Sequence, residues 1–259
     1  MRGRKFIVCF FFAYLAAMVA LNTLPCLLGR QVFAADNYAV DYFSAETESK
    51  GIPMGWEEAR FHSSPRHTIY TVEREGNNWF LKAESRKSAS SLYKKVSLDL
   101  RHYPILSWRW KVDNTVKVKK GSEKIKAGDD YAARVYVTFE SKPENISLME
   151  MIERSLVKAV YGKELPGEAI EYVWANELRK GEIFPNPDTD KAIMVVVENW
   201  SDKVGDWVTE QRNVYEDYKR LFGTEPSKIN YVAIMTDTDD SGEETVTYYD
   251  DIYFHPVIK

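Results

Sequence analysis

Cysteine is almost missing from this chain. Cys9 and Cys26 are the two in 259 residues, and both fall within the first 34. A disulfide framework, a thiol nucleophile and a cysteine-ligated metal are therefore excluded for everything that follows. The four histidines, His62, His67, His102 and His255, show no HxxxH or HExxH spacing, so zinc catalysis has no support. There is no GxSxG elbow, no glycine-rich phosphate loop and no dinucleotide fingerprint. Positive charge is not in excess either. The whole chain carries −4, and the four basic residues Arg2, Arg4, Lys5 and Arg30 precede residue 35 with no acid among them. The remainder then carries −8, which gives it no electrostatic reason to seek nucleic acid or an anionic membrane.

Long apolar runs are absent beyond the start. There, Arg2, Arg4 and Lys5 precede an apolar stretch from Phe6 to Ala20, and Val32-Phe33-Ala34 offers a cleavable site. The expectation is a signal peptide over 1–34, a single β-sandwich domain over 35–259, and a periplasmic or secreted destination. If the leader stays uncleaved, Phe6 to Leu28 is long enough to span a bilayer, which is the one route to a membrane.

What the remainder has is aromatic surface and short alternating runs. All seven tryptophans and fifteen of the sixteen tyrosines lie after residue 34. Period-two stretches predict strands at 67–74, 79–84, 92–99, 105–112, 131–140, 170–174, 192–198, 229–236 and 245–254. Two helices interrupt them. Residues 147–160 open on a Ser147/Glu150 capping box, and 213–222 run from an Asn213 cap to a Gly223 stop. The fold expected is mostly β, a single antiparallel β-sandwich with these two helical insertions. The lysine-rich stretch 116–127 reads as an exposed loop.

Alternation also assigns faces. In ILSWRWKV (105–112), Leu106, Trp108, Trp110 and Val112 share the core face. In YAARVYVTF (131–139), Tyr131, Ala133, Val135, Val137 and Phe139 point inward, while Asp130, Arg134, Tyr136 and Thr138 look outward. Asp129 and Asp130 thus end a polar loop beside Arg134. Acids and a guanidinium on an open sheet face either lock strand register or hydrogen-bond vicinal hydroxyls, which need acceptors and donors together. MTDTDDSGEE (235–244) puts Asp237, Asp239, Ser241 and Gly242 at the spacing of half a calcium loop. The closing glutamate position holds Tyr248, so this is no EF-hand, and a hairpin turn is the plainer reading. In TVTYYDDIYF (245–254), parity places Asp250 with Val246, Tyr248, Ile252 and Phe254. A buried carboxylate there needs an arginine, a cation or a register-shifting bulge.

The order of WRWKV (108–112), AGDDYAARVYVTF (127–139), YVWAN (172–176), RNVYEDYKRLFG (212–223), AIMTDTDDSG (233–242) and YYDDIYF (248–254) resembles the bacterial exported family known as domain of unknown function 3047. LDLRHYPILSWRW (98–110) and YYDDIYF are similar, more distantly, to the first and last thirds of galactose-binding-like jelly-roll carbohydrate-binding modules. That second resemblance implies a structural calcium near the final strand, with Asp250 and Asp41 as its ligands. The functional expectation is a non-catalytic binding protein for a saccharide or other polyol-like envelope component. Its site is expected to comprise Asp129, Asp130, Arg134, Asp237, Asp239, Arg212 and Trp174. A hydrolase using paired carboxylates on glycosidic or ester bonds, and a structural envelope protein without a small ligand, are the alternatives.

Overall fold

The structure is a computed structural model that describes residues 37–43, 51–61, 64–141, 167–199 and 203–257. The helix expected at 147–160, the leader and its proposed cleavage site lie outside the described residues. Among the described residues no helix is long and apolar enough to cross a membrane.

Among the described residues thirteen strands build two sheets. In chain order they are β1 (Tyr38–Asp41), β2 (Trp56–Arg60), β3 (Ile69–Glu75), β4 (Asn78–Arg86), β5 (Ser90–Leu98), β6 (Ile105–Val112) and β7 (Ala133–Phe139). Then follow β8 (Ala169–Ala175), β9 (Ile183–Pro185), β10 (Ala192–Asn199), β11 (Val208–Asn213), β12 (Ile229–Met235) and β13 (Glu244–His255). One sheet runs β11-β6-β13-β4-β3, with β1 also paired to β13; the other runs β2-β5-β12-β7-β8-β10-β9. All nine strands expected from alternation are present. The four it missed, β1, β2, β9 and β11, are short, and β2, β3, β9 and β11 terminate the two sheet paths. Strands of this kind, such as WEEAR, expose charge instead of alternating.

The sandwich expectation holds, with one correction. The β8–β10 pair is parallel, so the larger sheet is mixed, not wholly antiparallel. The chain leaves β8, returns through β9 on the far side and inserts β10 between them, the crossover that a parallel pair requires. The second expected helix is α1 (Val214–Phe222). Asn213 Oδ1 accepts from Glu216 N at 3.1 Å, and Gly223 closes the helix at φ 71°.

The core lies between the sheets and is aromatic. Trp108 and Trp110 of β6 meet Tyr172 and Trp174 of β8, with ring centroids 5.4 and 5.8 Å apart. Leu106, Trp108, Trp110 and Val112 have no exposed surface, as alternation predicts. In β13 the phase changes. A register shift between Asp250 and Tyr253, with Asp251 at φ 49°, marks a bulge. Thr247 and Tyr249 point inward before it, and Ile252 and Phe254 after it. Asp250 is therefore not on the core face with Ile252 and Phe254, which corrects the parity reading.

Candidate functional site

The outer face of the larger sheet carries a hollow of about 700 Å³. Its shape follows from side-chain size. Ala89, Ser91 and Ala233 are small and line it, while Tyr136, Met235, Lys87 and Phe61 are taller and do the same. Tyr136 is registered against Ala233 on β12 and Glu171 on β8, so these three meet across adjacent strands. Loops add Arg66, Lys126, Asp129, Asn186 and Asp188, and the segment 236–243 adds Asp237, Asp239 and Asp240.

That last segment is not a hairpin turn. It carries the chain from β12 in one sheet to β13 in the other. Its two threonines anchor it: Thr68 Oγ1 donates to the Thr236 carbonyl at 2.7 Å, and Thr238 Oγ1 lies 2.8 Å from Ser85 Oγ. Asp237 between the threonines and Asp239 just after them face the hollow. Opposite, a 3-10 turn at Lys126–Gly128 delivers Asp129 and Asp130. Gly128 is needed there, because any Cβ would lie 2.5 Å from the Ser122 carbonyl oxygen. The preceding loop is less exposed than its lysines suggest. Glu123 is buried, and its carboxylate accepts from the backbone N–H groups of Asn176, Glu177 and Leu178 at 2.6, 2.8 and 3.1 Å. Asn176 Nδ2 in turn donates to the Asp130 carbonyl at 2.7 Å.

At the centre is Arg134, 2% exposed. Its Nε donates to Asp237 Oδ1 at 2.9 Å and its Nη1 to Asp129 Oδ1 at 3.2 Å. Nη2 donates to both Asp237 Oδ2 and the Asp129 carbonyl. Glu171 Oε2 lies 3.7 Å from Nη1. One guanidinium therefore faces three buried carboxyls. Burial raises Asp129 and Asp237 above the ordinary carboxylate range, Asp237 strongly, and Arg134 opposes the rise in both. Burial pushes Glu171 up to about 7 and, with neighbouring Asp130 adding to it, Asp240 up to about 6. Asp239 is raised for the same two reasons.

Of the expected site residues, Asp129, Asp130, Arg134, Asp237 and Asp239 are brought together, although not all in one role. Asp130 has no exposed surface and does not line the hollow. Its carboxylate accepts from Ser241 N at 2.5 Å and Asp240 N at 3.4 Å, which fixes the crossing loop. Oxygens of Asp130, Asp237 and Asp239 lie within 4.8 Å of one another, close enough to hold a hard cation. Two of the three are already supplied with hydrogen bonds, Asp130 by backbone and Asp237 by Arg134.

Three expectations are corrected. Trp174 is fully buried against Trp110 in the core and cannot stack a ligand. Arg212 sits on β11 in the other sheet, where Nε and Nη2 donate to Asp217 at 2.9 and 2.7 Å. Asp250, expected as a metal ligand or as the partner of an arginine, has Arg109 Nη2 donating to Oδ2, so of the two it is the arginine that is present. Asp41 is likewise engaged, by Trp56 Nε1 and Lys94 Nζ, both at 2.8 Å. The aromatics that do line the hollow are Tyr136 and Phe61. Glu171 is the residue the sequence reading missed. Its signal was a carboxylate inside EYVWA, on the strand face opposite Tyr172 and Trp174.

The profile of a family described as "Protein of unknown function (DUF3047)" matches residues 54–253. No curated protein matches the sequence. Similar solved structures include the family 30 carbohydrate-binding module of a cellulosomal cellulase of Clostridium thermocellum, at 12% identity and TM-score 0.41 over 82% of this chain and 97% of that one. A second is a module, CBM28, specific for non-crystalline cellulose, at 12% identity and TM-score 0.36 over 85% of this chain and 98% of that one. A third is a β-1,2-glucanase from Parabacteroides distasonis, at 13% identity and TM-score 0.42, with 86% of this chain covering 26% of the enzyme.

Proposed function

The chain belongs to the DUF3047 family, and from that premise we propose that it is an exported, non-catalytic binding protein whose hollow takes a saccharide or similar polyol of the cell envelope. The observation that carries this reading is the lining of one concavity on an open sheet face. Acceptors (Asp129, Asp239, Asp240), donors (Arg66, Lys87, Lys126) and two aromatic side chains, Tyr136 and Phe61, surround about 700 Å³. Hydroxyl groups need acceptors and donors side by side, and the apolar face of a sugar ring needs an aromatic surface. The basic, apolar leader at residues 2–34 supports export.

The test combines an array of immobilised envelope and plant glycans with calorimetry on the intact protein. Binding to at least one glycan is expected, with the oligosaccharide recovered uncleaved. Asp239→Ala should weaken binding about tenfold or more, the scale of a lost hydrogen bond to a charged group. Asp239 is chosen because it lines the hollow without being one of the groups that hold Arg134. No binding across the array, or unchanged affinity in Asp239→Ala, would overturn the reading.

A further inference from the structure

Two polar groups at the floor of the hollow remain unspent. Glu171 sits mid-strand on β8 and is 2% exposed. Its Oε1 accepts from Asn186 Nδ2 at 2.9 Å, whereas Oε2 has no hydrogen-bond partner. The Tyr136 hydroxyl across the strand pair stands near enough to Glu171 to hold its pKa down, but its hydrogen bond runs to Met235 Sδ at 3.5 Å, and Oε2 stays without a partner. Arg134 offers the matching donor. Asp237 and Asp129 take its Nε, its Nη2 and one Nη1 hydrogen. The second Nη1 hydrogen is left, and Nη1 stands 3.7 Å from Glu171 Oε2, too far for a hydrogen bond. An unfilled donor and an unfilled acceptor thus lie side by side among the lining groups.

A hydroxyl is the group that fits both, because it accepts and donates at once. Building on the saccharide reading of the hollow, we propose that one ligand hydroxyl docks between Arg134 Nη1 and Glu171 Oε2, and that this contact makes Glu171 the residue that selects the ligand. The arrangement prefers a free hydroxyl over a deoxy or O-methyl position, either of which leaves the carboxylate oxygen bare in a buried place.

The contact has a sign in pH. Burial raises Glu171 to about 7; Arg134 opposes the rise, Asp129 adds to it, and Asn186 and Tyr136 oppose it. Because Oε1 accepts from Asn186, the proton of the neutral acid sits on Oε2, the oxygen a ligand hydroxyl needs as acceptor. The ionised form is therefore the binding form. Affinity is full near pH 8 and falls as pH drops through about 7, by about tenfold at pH 6. Asp240 also titrates in the hollow, at about 6, so the variants below are needed to assign the change.

The experiment is calorimetry of the intact protein, Glu171→Ala and Glu171→Gln with cellotetraose, laminaritetraose and xylotetraose at pH 8 and pH 6. The wild type should bind at least one probe and lose about tenfold between the two pH values. Both variants should bind that probe about tenfold more weakly at pH 8, with a flattened pH profile. Glutamine keeps the side chain's shape without its charge, so it stands in if alanine does not fold. Variants that match the wild type within about twofold at pH 8, with the same pH dependence, overturn the assignment of Glu171 and leave the saccharide reading standing. A wild type that binds none of the three overturns the Glu171 assignment, whereas the saccharide reading falls only with no binding across the whole glycan array.

Discussion

Arg134→Ala should cost the protein about 3–5 kcal/mol, a fall in melting temperature of roughly 10 °C. The arginine is itself expensive to bury, and its side chain has 2% exposure. It persists because Asp237 and Asp129 surround it with four hydrogen bonds. Removing it leaves two carboxylates and Glu171, none more than 8% exposed, without their shared counter-charge. They can respond only by taking up protons, so their pKa values rise further above the unfolded ones. A raised carboxyl destabilises the folded state once pH exceeds its unfolded value. The deficit of the variant should therefore be largest near pH 8 and shrink towards pH 5. Arg134→Lys should rescue little, because an ammonium cannot form the planar fork that Asp237 receives at Nε and Nη2. Thermal melts across that range test both statements. A loss below about 1 kcal/mol at pH 8 would mean that the cluster is an incidental surface pair.

The second large effect is expected far from any ligand. Trp110→Ala should also cost about 3–5 kcal/mol while leaving glycan affinity within about twofold of wild type. The indole has no exposed surface, meets Trp108 edge-on at 5.3 Å and Trp174 at 5.8 Å, and so bridges the two sheets. Its Nε1, like those of Trp108 and Trp174, has no hydrogen-bond partner among the described residues. Trp110→Phe should therefore be milder than alanine, since it keeps most of the ring burial and removes an unpaired N–H. Calorimetry on a folded Trp110→Ala protein that has lost its ligand would contradict this.

These two cases bracket what could be read from residue order. The core strands were legible because their inward positions alternate strictly, as ILSWRWKV and ARVYVTF do. Edge strands with charge on both faces gave no such signal, and neither did the bulge at Asp250–Asp251, where one inserted residue reverses every later side chain. The same rule explains the site. Parity put Arg134 and Tyr136 outside, and turn-forming acids marked the two loops beside them. Which acid each group meets is a tertiary fact. Asp130 spends its carboxylate on the backbone of the neighbouring loop, Asp237 on the guanidinium, and Glu171 keeps one oxygen free. Nothing in the spacing of these residues along the chain distinguishes the three roles. Trp174 and Arg212 were misplaced for the opposite reason: an aromatic ring and a guanidinium suit a sugar site by residue type, but strand parity and a helix-borne partner, Asp217, had already claimed them.

A crystal structure of the intact protein grown with the tightest-binding oligosaccharide would test the central claim most directly. The account predicts sugar density in the hollow of the larger sheet, beside Tyr136, with a hydroxyl bridging Arg134 and Glu171. Density on the outer face of the other sheet, over Trp207 where Arg109 and Lys111 already lie at 4.8 and 5.7 Å from the ring, would contradict it.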